Sequence, residues 1–277
     1  MKINVAKESG FCSGVARAIK IAKDSVEKYG KIYMLGDIVH NEHVIRELES
    51  LGIVTVDSLS QIFDNKYPIL LRSHGTQVTV LEEINRRGFK TIDATCPLVK
   101  NIHKKAEEIL KEGRKLIIIG DKGHEEVEAI KSISENAIII NSIDDVSKLP
   151  KIIKAGVVIQ STQSISFVSD IIKELTKIVE DLRVINTICQ PTRNRQAQVM
   201  ELAKENDVVL IVGSKSSANT KRLYEISKKI NDRTYFVTNK DDIKLELIEN
   251  AESIGISSGA STPDFIIKEI VSKIENF

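Results

Sequence analysis

Apolar and polar positions alternate along this chain in two rhythms. Short, mostly apolar runs at residues 3–5, 32–35, 69–71, 116–119, 138–140, 157–159, 208–212 and 253–256 predict strands. Between them, apolar residues recur every three or four positions over residues 15–29, 44–50, 99–111, 167–179, 195–204 and 265–274, which predicts amphipathic helices. Strands and helices of these lengths in alternation predict βαβ units, mostly parallel sheets and an α/β fold. No stretch rich in Pro, Gly and Ser marks a linker, so domain boundaries have to come from repetition.

Repetition is present. The three cysteines, Cys12, Cys96 and Cys189, are each followed 24 residues later by a glycine: Gly36, Gly120 and Gly213. Each glycine ends an apolar strand, and four residues beyond it stands His40, His124 or Ser217. A second matched element, a strand ending in small or polar residues, comes later in each third: Leu71 to Thr76, Ile159 to Ser164 and Ile256 to Ser261. These coincidences predict three related α/β domains over residues 1–96, 97–188 and 189–277. Ligands of open parallel sheets gather outside the carboxyl ends of the strands, where both matched elements and the cysteines fall. Three such domains facing one another around a pseudo-threefold axis would converge these groups on one cavity.

Composition narrows the function classes. Forty basic and 39 acidic side chains leave a net charge of +1, which lacks the basic surplus of a nucleic-acid binder. Aromatics make up 4% with no Trp, so stacking platforms for single strands are not expected either. The N-terminus lacks the apolar core of a secretory signal, and no apolar run nears the roughly 18 residues that cross a bilayer. The expectation is a cytoplasmic protein with neither a nucleic-acid nor a membrane partner.

In a reducing compartment, three widely spaced cysteines point to structural, catalytic or metal-binding roles rather than disulfides. Each lies between a strand and a helix, in Gly10-Phe11-Cys12-Ser13, Thr95-Cys96-Pro97 and Ile188-Cys189-Gln190-Pro191. Helix N-termini stabilise thiolates, so three could ligate a metal or an iron–sulfur cluster. A single cysteine is most often a small buried hydrophobe, but three at equivalent repeat positions weaken that explanation. Zinc is a second possibility, although the close paired spacings of structural zinc sites are missing. An iron–sulfur cluster held by three thiolates would leave one iron without a protein ligand, open for substrate chemistry.

His40, His74 and His124 stand at strand ends or helix starts, whereas His43 and His103 lie within helical patterns and are read as ordinary helix residues. With Ser217, Asn219 and Ser261, the first three would suit an anionic ligand such as a phosphate. Glu126 is either a first-turn acid favoured by the helix dipole or, facing a cluster, a proton donor. Neither a P-loop nor a complete dinucleotide fingerprint occurs.

Taken together, Gly10-Phe11-Cys12-Ser13-Gly14-Val15, Val39-His40-Asn41, Ser73-His74-Gly75, Asp93-Ala94-Thr95-Cys96-Pro97, Gly123-His124-Glu125-Glu126-Val127-Glu128, Val212-Gly213-Ser214-Lys215 and Gly259-Ala260-Ser261-Thr262-Pro263-Asp264 resemble the LytB-type 4-hydroxy-3-methylbut-2-enyl diphosphate reductases, end to end. The resemblance implies a trefoil of three α/β domains around a central 4Fe–4S cluster held by Cys12, Cys96 and Cys189. It implies two-electron reductive removal of the substrate hydroxyl, with isopentenyl and dimethylallyl diphosphate as products. Glu126 would supply the proton, while His40, His74, His124, Ser217, Asn219 and Ser261 would hold the diphosphate and order the site. A low-potential ferredoxin or flavodoxin is the implied electron donor. Two departures stand out: Ser161-Thr162 where the family usually has Thr-Thr, and Ser217-Ala218-Asn219 where many members have Ser-Ser-Asn. The first keeps a hydroxyl for substrate; the second leaves any contact from Ala218 to its backbone. The rival readings are a non-catalytic iron–sulfur redox sensor or small-anion-binding α/β protein, and a zinc-stabilised α/β protein that binds a sugar or nucleotide.

Overall fold

The computed structural model describes residues 1–277. The chain begins β1 (Lys2–Val5), α1 (Ser13–Tyr29), β2 (Ile32–Leu35), α2 (Glu42–Ser50), β3 (Ile53–Val56), β4 (Ile69–Leu71), α3 (Val78–Arg86) and β5 (Thr91–Asp93). It continues α4 (Pro97–Lys111), β6 (Lys115–Ile119), α5 (Glu125–Lys131), β7 (Ile138–Ile140), α6 (Ile143–Ser147), β8 (Ile152–Ile159), α7 (Ile165–Leu175) and β9 (Val179–Val184). It closes with α8 (Gln190–Glu205), β10 (Val208–Val212), α9 (Ala218–Lys228), β11 (Thr234–Val237), α10 (Leu245–Ile248), β12 (Ser253–Ser258) and α11 (Asp264–Glu275).

The strands build three sheets of four, ordered β3-β2-β4-β5, β7-β6-β8-β9 and β11-β10-β12-β1. Every pairing is parallel, so the protein is α/β with helical crossovers. The three orders are one pattern in which β1 takes the fourth place of the last sheet. It pairs with β12 in register from Lys2↔Ser253 to Val5↔Ile256. Each cysteine therefore follows the fourth strand of a sheet: Cys12 after β1, Cys96 after β5 and Cys189 after β9.

Chain packing groups the sheets into two compact units. One comprises residues 1–16, 39–46 and 189–277 and carries the sheet closed by β1; the other comprises residues 17–38 and 47–188 and carries the remaining two. Of the divisions that repetition suggests, the one at 188 coincides with a boundary of these units, whereas none falls at 96; residues 1–16 group with 189–277, and the first strand belongs to the last sheet.

Central strands are buried on both faces. In β6, Ile117 and Ile119 join one cluster with Val157, Ile159, Ile171 and Leu175, while Leu116 and Ile118 join another with Ile102, Ala106, Ile109 and Val127. β10 divides likewise, with Leu210 and Val212 on one side and Val209 and Ile211 on the other. That period of two, apolar on both faces, is what a helix-covered parallel sheet requires. α4 lies close on β8: a Cβ built on Gly156 would stand 2.6 Å from Ile109 Cγ2, so only glycine admits the helix at this distance.

The helix expected over residues 167–179 ends at Leu175, and Val179 opens β9 instead. Pairing of Val179 with Ile152 along β8 outweighs the helical periodicity there. No helix is long and apolar enough to cross a membrane.

Candidate active site

In the unit of residues 17–38 and 47–188, the polar ends of β4, β6 and β8 carry most of the chemistry. Cys96 is the N-cap residue of α4, with Pro97 at the first helical position, where a missing N–H costs nothing. Its backbone N–H donates to Ser73 O at 3.0 Å, which ties the cysteine to the turn bearing His74. Arg17 Nη1 donates to Thr95 O at 3.2 Å beside it.

His124 caps α5, its Nδ1 accepting from Glu126 N at 3.2 Å. An accepting Nδ1 carries no proton, so the neutral ring bears its hydrogen on Nε2. The His74 ring stands edge-on to it, with centroids 6.0 Å apart and planes at 89°.

Glu126 is 2% exposed. Its Oε1 accepts from Ser161 N at 2.6 Å and its Oε2 from Ser161 Oγ at 2.7 Å. Burial pushes its carboxyl above the usual carboxylate range, while the two Ser161 donors and the His74 charge pull the other way. Ser161, expected to offer its hydroxyl to substrate, thus commits both polar groups to Glu126. Thr162 Oγ1 accepts from Gln160 Nε2 at 3.0 Å and keeps its own O–H to donate, and Gln160 Oε1 in turn accepts from Asp121 N at 2.7 Å.

The other unit holds Cys12 and Cys189. Cys12 N donates to Ala260 O at 3.1 Å, and Val15 N approaches the Cys12 sulfur at 3.4 Å at the start of α1. Cys189 is the N-cap residue of α8, with its sulfur 3.1 Å from Thr192 Oγ1. Arg195, two turns along α8 and 2% exposed, donates from Nη2 to Gly10 O at 2.8 Å. Burial pulls its guanidinium down, opposed by the negative charge of Cys12, Glu8 and Cys189. Sequence reasoning missed Arg195, whose partner is 185 residues away.

Beside them, Ser261 Oγ donates to the backbone oxygen of His40 at 3.1 Å. Gly259 N and Thr262 Oγ1 both bond back to Val212 O, which draws this loop to the end of β10. From there Ser217 caps α9, accepting from Thr220 N at 3.3 Å, so its own hydrogen is left to donate. Ala218 opens the helix and contributes only its backbone. Asn219 is 5% exposed, yet neither its amide oxygen nor its amide nitrogen has a hydrogen-bond partner. A buried carboxamide without partners calls for a partner outside the protein's own side chains and backbone.

Of the two remaining histidines, His43 is exposed and His103 half-buried. His43 stands edge-on to Phe265 at 6.0 Å, and burial pulls His103 down despite the opposing charge of Glu107.

The family described as LytB protein matches residues 3–275. The 4-hydroxy-3-methylbut-2-enyl diphosphate reductase of Aquifex aeolicus is 37% identical over 99% of this chain and 96% of its own length. That of Geobacter sulfurreducens is 35% identical over 100% of this chain and 98% of its own. Among solved structures, the E-1-hydroxy-2-methyl-but-2-enyl-4-diphosphate reductase of Plasmodium falciparum matches with a TM-score of 0.93 at 28% identity, covering 98% of this chain and 87% of that one. A second, (E)-4-hydroxy-3-methyl-but-2-enyl diphosphate reductase, described as the terminal enzyme of the non-mevalonate pathway, matches with a TM-score of 0.71 at 35% identity, covering all of both chains.

Proposed function

The chain belongs to the LytB family of iron–sulfur enzymes, and on that premise we propose that it reduces 4-hydroxy-3-methylbut-2-enyl diphosphate to isopentenyl and dimethylallyl diphosphate. This is the last step of the non-mevalonate route to isoprenoids. The balance is one allylic C–O bond broken, two electrons and two protons taken up, and one water released.

Cys12, Cys96 and Cys189 would hold a 4Fe–4S cluster. The donor set fits: none of the three is in a disulfide, all are partly buried at helix starts, and the buried Arg195 cation lies beside two of them. When bound, such a cluster supplies electrons and, at the iron lacking a protein ligand, Lewis acidity toward the leaving hydroxyl. A low-potential ferredoxin or flavodoxin would deliver the electrons.

The chain's own residues do the rest. Glu126 is the proton donor, and the buried carboxyl held at both oxygens by Ser161 is the observation that carries this reading. Burial keeps it protonated to higher pH than an ordinary carboxylate, which a general acid at neutral pH requires. Ser161 is then a positioning residue, and the contacts to the diphosphate come from His40, His74, His124, Thr162, Ser217, the Ala218 backbone, Asn219 and Ser261. The partnerless Asn219 amide supports that set. The shared strand order supports three copies of one α/β unit in residues 1–96, 97–188 and 189–277, except that β1, at the start of the first, completes the sheet of the third.

The test is anaerobic turnover with a chemical low-potential reductant. Wild type should convert the hydroxylated diphosphate, and Glu126→Gln should retain iron and acid-labile sulfide but lose turnover. Full turnover in Glu126→Gln would overturn the proton-donor role.

A further inference from the structure

Two charged residues of the chain are buried, Glu126 and Arg195. Glu126 has both carboxyl oxygens satisfied by Ser161. Arg195 is less well provided for: its Nη2 donates to Gly10 O at 2.8 Å, but its Nε has no partner. Glu8 is the acid whose charge reaches it, yet the Glu8 carboxylate accepts instead from Asn194 Nδ2. Arginine stays protonated even when buried, and a buried charge is normally paired.

The position of this cation is fixed by α8, the helix that Cys189 caps. Three side chains of α8 grip the segment leading to Cys12: Asn194 at the Glu8 side chain, Gln198 Oε1 accepting from Glu8 N at 3.0 Å, and Arg195 at Gly10 O. The far side of the segment is held as well. Gly10 N donates to Ser258 Oγ at 2.8 Å, and Cys12 N to Ala260 O at 3.1 Å. Gly10 itself has a φ of 82°, and a Cβ there would overlap the Asp264 carboxylate. The guanidinium is thus locked between the loop of one cysteine and the helix of another, and besides Glu8 the charges acting on it are those of Cys12 and Cys189.

A buried cation that lacks a carboxylate partner is stabilised by any negative group bound beside it. A cluster held by thiolates is such a group, it gains further negative charge with each electron, and its potential responds to the charges around it. We propose that Arg195 is the counterion of the cluster that Cys12 and Cys189 help to hold, and that its positive charge raises the cluster's reduction potential. The proposal rests on the reading that these cysteines are cluster ligands.

The experiment compares reconstituted wild type with Arg195→Gln, which keeps a donor toward Gly10 O and removes the charge, and with Arg195→Lys, which keeps the charge. Far-ultraviolet circular dichroism and iron and sulfide content establish that each is folded and loaded. The reduced fraction is then followed by electron paramagnetic resonance in a mediated redox titration. In Arg195→Gln the ratio of reduced to oxidised cluster at a fixed potential should fall about tenfold, or about 59 mV for one electron, while Arg195→Lys stays within about threefold of wild type. An unmoved potential in Arg195→Gln, or an equal fall in Arg195→Lys, would overturn the proposal. A second measurement needs no neutral variant. Reduced wild type labelled with nitrogen-15 arginine should show hyperfine coupling between the cluster and a guanidinium nitrogen, and Arg195→Lys should lack it. Absence of that coupling in wild type would overturn the proposal even if Arg195→Gln does not fold. A wild type that takes up no cluster would overturn the ligand assignment instead.

Discussion

Ser161→Ala removes one of the two donors that hold Glu126. The lost contact is the 2.7 Å bond from Ser161 Oγ to Glu126 Oε2, between residues 7% and 2% exposed, so water does not readily replace it. A hydrogen bond to a charged group contributes about 1.5–3 kcal/mol, and less when the acceptor is neutral. Two consequences follow from that asymmetry. The ionised form loses more than the protonated form, so the Glu126 pKa rises further and the alkaline limb of the kcat profile moves to higher pH. The acid also loses alignment. If the whole 1.5–3 kcal/mol is lost from proton delivery, kcat falls roughly 10- to 150-fold. Ser161→Thr keeps the hydroxyl and should restore both limb and rate. The assay is steady-state turnover under anaerobic conditions across the pH range, normalised to cluster content. Full kcat with an unmoved alkaline limb in Ser161→Ala, or failure of Ser161→Thr to rescue, would refute the reasoning.

The other predictions concern stability and the cluster. Because burial raises Glu126, its contribution to stability is fully present below the ordinary carboxylate range and is lost as pH rises through its raised value. Glu126→Gln should therefore match wild type in denaturant unfolding at acidic pH and become the more stable of the two under alkaline conditions; a pH-independent difference would contradict this. Gly156→Ala forces a Cβ to 2.6 Å from Ile109 and should destabilise by about 1–3 kcal/mol, read from the urea midpoint. The double variant Gly156→Ala with Ile109→Val should recover part of that loss. Cys96→Ser should fold as wild type by far-ultraviolet circular dichroism but retain little iron or acid-labile sulfide after anaerobic reconstitution.

The chain pattern reveals central strands well and edges poorly. The runs at 116–119 and 208–212 are apolar on both faces because both faces are covered. Of the edge strands, only β1 and β7 are anticipated by the pattern; β9, for one, is half exposed and carries Glu180, Asp181 and Arg183, so no apolar run announces it. The partner of β1 is equally invisible, since parallel pairing joins Lys2 to Ser253 across nearly the whole sequence.

The same contrast runs through the site. Spacing exposes the three cysteines, His40, His124 and Ser217 because the repeat puts them at equivalent positions, whereas Glu126 comes from its place at a helix start and from the family resemblance. Ser161 and Arg195 act through partners 35 and 185 residues away, and no local pattern encodes those distances.

The central claim, that three cysteines hold a four-iron cluster with one iron free for the substrate, is tested most directly by Mössbauer spectroscopy. Iron-57-labelled protein, reconstituted without oxygen, would be measured with and without 4-hydroxy-3-methylbut-2-enyl diphosphate. The account predicts a four-iron spectrum in which one iron is distinct and shifts when the diphosphate is added. Four equivalent irons indifferent to the diphosphate, or no cluster at all, would contradict it.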